Sequence, residues 1–493
     1  MASREPGKPN IIFILSDDQG AWAMRCGGNA EIVTPNLDRL AETGIRFENF
    51  FCASPVCSPA RASILTGSIP SQHGVQDFLR KGERVPSSDS DEVIEYMVDQ
   101  KSYIEILAAD GYDCGLSGKW HLGHAALPQL GFSYWNVRAG GGGPYYKHRM
   151  TTGKELYTHD GYSTDVITDN ALTFLDESLN SSAPFSLNVH YTAPHAPWGR
   201  EHHPKDLFDD YYDNCPFDSV PIEDIHPDQL NKGPNAATIG DTPETRRSAL
   251  SGYFAAITAM DQNIGRLIDW LEDNNLRENT LVIFNADNGM NMGHHGMWGK
   301  GNATYPPNMY DTSVKVPALI SRPNHVPQGL VCSDLLSQYD FMPTILSYVG
   351  SQNPHKDSLP GRDFSPILNG GQMGEDAAVF VLDEYGPTRM IRTHTWKYIH
   401  RYPDGPHEMY NLEEDPGETT NLIGDSSQSA RAEELKSELE RWYAQFVIPK
   451  MDGSKQNVTG RGQIGLVGSD DYDKPFADDL VFYADGGPPP DNF

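Results

Sequence analysis

A chain of 493 residues that is 38% apolar and 10% aromatic can bury a sizeable core. This excludes wholesale disorder and sets two or three domains, or one large α/β domain with an appendage, as the expected size class. Its 38 Lys+Arg against 68 Asp+Glu give a formal charge of −30, which speaks against a nucleic-acid binder, because affinity for a phosphate backbone needs net basic surface.

The N-terminus, MASREPGKPNIIFILSDDQ, carries an apolar run of five residues, IIFIL, well short of the ~7–15 of a signal-peptide core. No stretch nears the ~20 apolar residues of a membrane span. The expectation is a soluble protein with no membrane partner, cytoplasmic as the chain stands, or periplasmic or secreted if a leader has been removed. PNIIFILSDD is a continuous β-branched and aromatic run and predicts a buried strand of a parallel sheet. TPNLDRLAETG predicts a helix, with Thr34 as N-cap, Pro35 at the first helical position and Gly44 past the end. KSYIEILAADGYDCGLSGKWHLG predicts a helix, a turn at Gly111 and a short strand ending near Lys119. Gly140 to Gly143 reads as a flexible loop rather than a phosphate cradle, since no P-loop Lys-Ser/Thr follows.

FSLNVHYTAPHAPW reads as a strand running into a Pro-rich loop, and ETRRSALSGYFAAITAMDQNIGRLIDWLEDNNL as a long amphipathic helix. TLVIFNADNG is again a buried strand, ending at Asp287-Asn288-Gly289, and VPALI is one more. This alternation predicts an α/β domain over residues 8–370, a large mixed, mostly parallel sheet sandwiched by helices. Beyond it, AAVFVLDEY, TRMIRTHTWKYIHRY and HEMYNL read as short sequential strands and SARAEELKSELERWYAQFV as a helix. Residues 371–493 are therefore expected to form a smaller C-terminal subdomain, an antiparallel sheet plus helix with an extended tail.

Two buried strands far apart in sequence end in a carboxylate pair or near-pair, Asp17-Asp18 and Asp287-Asn288. The carboxyl ends of strands in a doubly wound sheet line one crevice. Three carboxylates gathered there repel one another unless a cation sits among them, and all-oxygen ligation favours Ca²⁺ or Mg²⁺. The structural alternative is that each Asp caps the helix after it. Six cysteines (Cys26, Cys52, Cys57, Cys114, Cys215, Cys332) without C-x-x-C spacing exclude a disulfide scaffold. Cys57 stands out because Pro59 and the run ARASILTG place it at the start of a predicted helix, near Arg61. Both the helix N-terminus and Arg61 lower a thiol pKa and attract anions; a buried, inert cysteine is the alternative.

The segment Cys57-Ser58-Pro59-Ala60-Arg61-Ala62-Ser63-Ile64-Leu65-Thr66-Gly67 resembles the C-x-P-S-R signature of the type I sulfatases, in the alkaline phosphatase superfamily; Ala60 stands where the family usually has Ser. The resemblance runs along nearly the whole chain in family order. PNIIFILSDDQ is similar to the opening strand with its metal-binding Asp pair, SGKWHLG to the segment that implies roles for Lys119 and His121, and YTAPHAPW to the loop that points to His195. FNADNG is similar to the metal-ligand segment, here Asp287 and Asn288, and GHHGMWGKGNATYPPNMYDTSVKVPALI to the segment that points to Lys300, with Lys315 its rival. WKYIHRYPDGPHEMYNLEEDPGETTNL resembles the C-terminal subdomain.

The resemblance implies an alkaline-phosphatase-like fold and hydrolysis of a sulfate ester. Its nucleophile is formylglycine (3-oxoalanine), made from Cys57 by a formylglycine-generating maturation enzyme. It implies Ca²⁺, with Mg²⁺ possible, on Asp17, Asp18, Asp287 and Asn288. It also implies that Arg61 holds the nucleophile, Lys119 and Lys300 face the sulfate oxygens, His195 protonates the leaving alcohol, and His121 deprotonates the covalent intermediate so that sulfate leaves. Trp198, Trp298, His73, Arg392 and His394 are candidates for leaving-group contacts, and His294-His295 for loop residues near the sulfate pocket. A sulfated carbohydrate is the expected substrate; a phosphonate or phosphate ester is the alternative.

Overall fold

The structure, a computed structural model, describes residues 8–82, 93–138, 140–152, 155–229, 240, 242–374, 378–384, 386–456, 458 and 460–477. Ten strands build one sheet: β1 (Asn10–Ser16), β2 (Gly44–Phe51), β3 (Asp113–Lys119), β4 (Tyr134–Arg138), β5 (His148–Thr152), β6 (Glu155–His159), β7 (Phe185–His190), β8 (Thr280–Ala286), β11 (Ala318–Ser321) and β12 (Leu330–Ser337). The short ribbon β9 (Asn291–Met292) and β10 (Trp298–Gly299) stands apart. The order across the sheet is β12-β2-β11-β8-β1-β7-β3-β4-β5-β6. Its centre, β8-β1-β7-β3-β4, is parallel. The predicted strand at VPALI exists, and it runs antiparallel to both β8 and β2.

The apolar run of β1 is continuous because both faces of the strand are covered. Ile11, Phe13 and Leu15 enter one core with the helices Cys57–Thr66, Tyr103–Ala109 and Phe341–Val349. Ile12 and Ile14 enter the other, with Pro35–Glu42, Ser163–Ser178 and the long helix Pro243–Asp273. A strand buried on both faces loses the polar alternation of a half-exposed one. The carboxyl ends of β1, β3, β7 and β8 open side by side on one edge of this sandwich.

A second sheet, β13 (Val379–Asp383), β14 (Thr388–Arg392), β15 (Trp396–Arg401) and β16 (Glu408–Asn411), is a sequential antiparallel meander. The helix Ser429–Phe446 lays Leu435, Leu439 and Tyr443 against Phe380, Leu382, Ile391 and Tyr398. Leu382 N–H donates to Ala53 O at 2.9 Å, tying this sheet to the loop that leads into Cys57. After the helix the chain returns to the larger body, where Ile448 N–H donates to Ser71 O at 3.1 Å. Among the described residues no helix is long and apolar enough to cross a membrane.

Candidate active site

Asp17 and Asp18 follow directly on β1, and Asp287 and Asn288 on β8, its parallel neighbour. The ladder carries on past both strand ends: Asp287 N–H donates to Ser16 O at 3.0 Å and Asp18 N–H to Asp287 Oδ1 at 3.1 Å. Asn288 Nδ2 donates to Asp18 Oδ1 at 2.8 Å. All four are buried. Asp18 is held in the left-handed region (φ 60°), the kind of backbone strain that persists where surrounding structure enforces it.

Three cations are buried among these three carboxylates. Arg61 grips Asp287 Oδ2 with Nε at 3.1 Å and Nη2 at 2.9 Å, and donates Nη1 to Lys119 O at 3.2 Å. Lys119, the last residue of β3, places Nζ 2.6 Å from Asp17 Oδ2. Lys300 Nζ donates to Asp18 Oδ1, to Asn288 Oδ1 at 3.4 Å and to Cys57 Sγ at 2.7 Å. Burial opposes charge on Asp18 and Asp287, yet Lys300 and His195 beside the first, and Arg61 and the two lysines beside the second, hold both carboxyls below the ordinary range. Burial likewise opposes charge on Lys300, but Asp18 beside it keeps the ammonium well above its usual pKa.

Cys57 is the first residue of its helix, buried in full view of this cluster. Burial pushes its thiol up to about 11 against the pull of Lys119 and Lys300, so as encoded it is a protonated, weak nucleophile at neutral pH. The residues fit a hard cation. Ligand atoms of Asp17, Asp18 and Cys57 lie within 4.8 Å of one another, and Asp17 Oδ1 is buried without a hydrogen-bond partner, Arg61 Nη2 standing off at 3.9 Å.

The two histidines are oriented by carbonyls. His195 Nδ1 lies 2.7 Å from Ala196 O, and its Nε2 lies 3.6 Å from Asp18 Oδ2. His121, held at φ 54°, places Nε2 3.2 Å from Leu79 O, and its Nδ1 is buried without a partner. A carbonyl only accepts, so Nδ1 of His195 and Nε2 of His121 carry hydrogen. Burial, with Lys119 and Arg61 nearby, drives His121 well below its usual pKa, so it is neutral at pH 7. The Gly140 to Gly143 loop, expected only as a flexible loop, packs on both rings. A Cβ on Gly141 would stand 2.3 Å from His121 Cε1, and one on Gly142 2.9 Å from His195 Cε1.

Sequence comparison is decisive for the family: the Sulfatase family model matches residues 9–351. The chain belongs to the sulfatase family. It is a sulfuric ester hydrolase with the alkaline-phosphatase-like fold. A second model, for the C-terminal part of N-sulphoglucosamine sulphohydrolase, matches residues 293–445. The sulfatase is 29% identical to an N-acetylglucosamine-6-O-sulfatase of Bacteroides thetaiotaomicron, over 94% of this chain and 91% of the other. It is 30% identical to an ulvan-active sulfatase of Formosa agariphila, over 90% and 82%. A protein solved in complex with its substrate D-glucosamine-2-N,6-O-disulfate shares the fold at TM-score 0.76 and 26% identity, covering 91% of this chain and 100% of that one.

In this sulfatase, as in the sequence reading, Lys300 enters the cluster; the rival Lys315 lies instead among Asp311, Arg392 and Glu48. Several leaving-group candidates are corrected. His73 is buried in the core, bonded through Nε2 to Ser63 Oγ at 3.0 Å, because its helical turn packs under the Cys57 helix. Arg392 is buried against Asp311 and Thr393 O, and Trp198 donates Nε1 to Pro194 O and packs edge-on against Tyr253. His294 packs on Trp22, and His295 stacks on Tyr310 with ring centroids 3.8 Å apart. Sequence reasoning missed Gln338, whose Nε2 donates to Ala286 O and Asp287 O at 2.8 Å each and so fixes the turn that carries the metal-ligand candidates. It also missed Tyr253, whose hydroxyl donates to Asp18 O at 3.0 Å.

Proposed function

We propose that this sulfatase hydrolyses a sulfate ester on a carbohydrate, using a formylglycine made from Cys57 by a maturation enzyme. A divalent cation, Ca²⁺ or Mg²⁺, would be held by Asp17, Asp18, Asp287 and Asn288. The observation that carries this reading is the balance of three buried carboxylates against three buried cations around Cys57. A divalent cation brings two positive charges; a sulfate monoester and an ionised nucleophile each bring one negative charge. The loaded site is then neutral again, as a buried site must be to escape a large desolvation cost.

When bound, the cation supplies Lewis-acid charge to a sulfate oxygen and lowers the pKa of the attacking hydroxyl. Lys119 and Lys300, whose ammonium groups reach Asp17, Asp18 and residue 57, would bind the sulfate oxygens. Arg61, locked on Asp287 and Lys119 O, orients residue 57. His195 carries one proton on Nδ1, so the proton it gives the departing alcohol comes from Nε2. His121 is neutral and receives a proton on Nδ1 when the covalent sulfate is expelled. The elevated thiol pKa supports the modification, since a protonated thiol in this position is a poor attacker and its sulfated form has no geminal hydroxyl to drive release. The carbohydrate assignment is supported by the relatives acting on N-acetylglucosamine and ulvan and by the neighbour bound to a disulfated glucosamine.

Mass spectrometry of the tryptic peptide 47–61 from protein made in its native host tests the nucleophile. An aldehyde or its hydrate at position 57 is expected; wholly unmodified cysteine in active protein overturns the reading. Matched sulfate and phosphonate esters test the reaction class: the sulfate is hydrolysed faster, and the reverse order favours the phosphonate alternative.

A further inference from the structure

The segment after the C-terminal helix returns to the catalytic body and meets it at Gln463, which is wholly buried. Gln463 lies beside the irregular stretch Gly74 to Arg80 as a parallel bridge at Leu79. Its own N–H donates to Phe78 O at 2.8 Å, and its carbonyl accepts from Arg80 N–H at 2.9 Å. Its side chain does the same work again: Oε1 accepts from Gln76 N–H, and Nε2 donates to Gly74 O, each at 2.9 Å. One residue thus closes four hydrogen bonds onto a stretch that has no helix or strand of its own.

Leu79 sits at the centre of that stretch and faces the active site in two directions. Its N–H donates to Ser58 Oγ at 3.2 Å, beside the nucleophile position, and its carbonyl takes the hydrogen of His121 Nε2 at 3.2 Å. We propose that the side chain of Gln463 is a positioning element for His121: by pinning Gly74 and Gln76 it holds the stretch whose Leu79 carbonyl keeps the imidazole in the Nε2–H tautomer, which leaves Nδ1 as the proton acceptor. The tail of the chain therefore sets which nitrogen of a histidine 342 positions earlier can take a proton. Outer partners that fix a histidine tautomer typically matter by 10- to 100-fold when removed. The proposal rests on the reading of His121 as the proton acceptor of sulfate release, but its structural half can be read without turnover.

The test uses the full chain labelled with ¹⁵N-histidine, with the His121 signals assigned by their absence in His121→Gln. Long-range ¹H–¹⁵N spectra of the wild type are expected to show a single Nε2–H tautomer. Gln463→Ala is expected to mix the two tautomers and to lower kcat on an aryl sulfate about 10-fold with KM changed less than twofold. Gln463→Glu keeps the acceptor and loses the donor to Gly74 O; it provides the same readout should the alanine variant not fold. Leu439→Ala, in the core of the C-terminal helix, is the control: it lowers thermal stability and leaves the His121 tautomer alone. A pure Nε2–H tautomer in the Gln463 variants overturns the proposal, as does an equal tautomer change in Leu439→Ala. A mixed tautomer with unchanged kcat sinks the role assigned to His121 while leaving the positioning contact standing.

Discussion

Arg61 occupies a place that a lysine cannot fill. Its planar fork reaches Asp287 Oδ2 from two nitrogens while a third donates to the backbone of Lys119. An ammonium supplies the charge but only one of these directions at a time. Arg61→Lys is therefore expected to fold and to lose about 100-fold in kcat/KM, measured with an aryl sulfate, because small displacements of reacting groups carry costs of that order. Gly141 gives a companion case in which nothing polar changes. Gly141→Ala adds one methyl group where His121 already stands, and a comparable loss of kcat at nearly unchanged melting temperature is expected. Side-chain chemistry at this scale was legible in the sequence: strand ends and a helix start pointed to Asp17, Asp18, Asp287, Asn288, Cys57 and Arg61, the resemblance to the sulfatases added Lys119, His121, His195 and Lys300, and the folded chain brings them to one region. Backbone chemistry was not legible. Nothing in a residue string says that the Leu79 carbonyl will meet His121 or that Gly141 will lie on its ring, because any residue carries that peptide group. His73 and Arg392 were misjudged for a related reason: polar residues named as leaving-group contacts turned out to be buried, His73 against Ser63 and Arg392 against Asp311 and Thr393 O.

Elements were legible where burial was symmetrical. β1, β7 and β8 are covered on both faces, so their sequences are unbroken apolar runs, and the long helix Pro243–Asp273 declares itself by length and amphipathic spacing. β2 carries Arg46, Glu48 and Asn49 within the sheet, and β12 is exposed at Leu330 and Val331, so neither shows a clean period. Gln338 follows β12 and is the joint between elements. It donates to two carbonyls at the end of β8, those of Ala286 and Asp287, and accepts from Ala53 N–H at 3.0 Å, just ahead of the Cys57 helix. Gln338→Leu leaves these buried groups unpaired and is expected to destabilise the protein by about 2–4 kcal/mol in urea unfolding, with activity falling in parallel as the Asp287 turn loosens.

For the molecule as a whole, acid is the condition to which stability should be most sensitive. Burial pushes His73, His190 and His203 down to about 3, against ~6.5 in an unfolded chain. As pH falls through 6.5 the unfolded chain takes up protons that the folded one refuses, so this stability is present above that pH and lost below it. Asp261 and Asp340, pushed up to about 6 by burial, act in the opposite sense, their contribution being lost as pH rises through 6. The histidines held down outnumber the carboxyls held up: His148, His294, His295 and His400 lie at about 4 and join the first group, while Glu418, pushed up to about 7, joins the second. Stability is therefore expected to fall from pH 7 to pH 5, and a melting temperature that rises over that interval refutes the assignment. The division of the chain after residue 370 stays a proposal of the sequence, and the bonds of Ile448 to Ser71 and of Gln463 to Gln76, Phe78 and Arg80 mean that a cut there also removes supports of the active site.

The burial of Cys57 carries a consequence for the making of the protein. In the finished fold the thiol is about 4% exposed and is covered by Lys300, which is synthesised 243 residues later. On the proposed formylglycine reading, a modifying enzyme would have to reach this thiol before it is buried, so the time available would run from the emergence of Cys57 to the arrival of the segment that closes over it. At about 5–20 residues per second, this amounts to roughly 12–50 s. Slowing translation between residues 67 and 300 should raise the modified fraction, while the folded, unmodified protein presented to the same enzyme afterwards should remain cysteine. The nucleophile would then be decided by a race between chemistry and folding, settled once for each molecule as it is made.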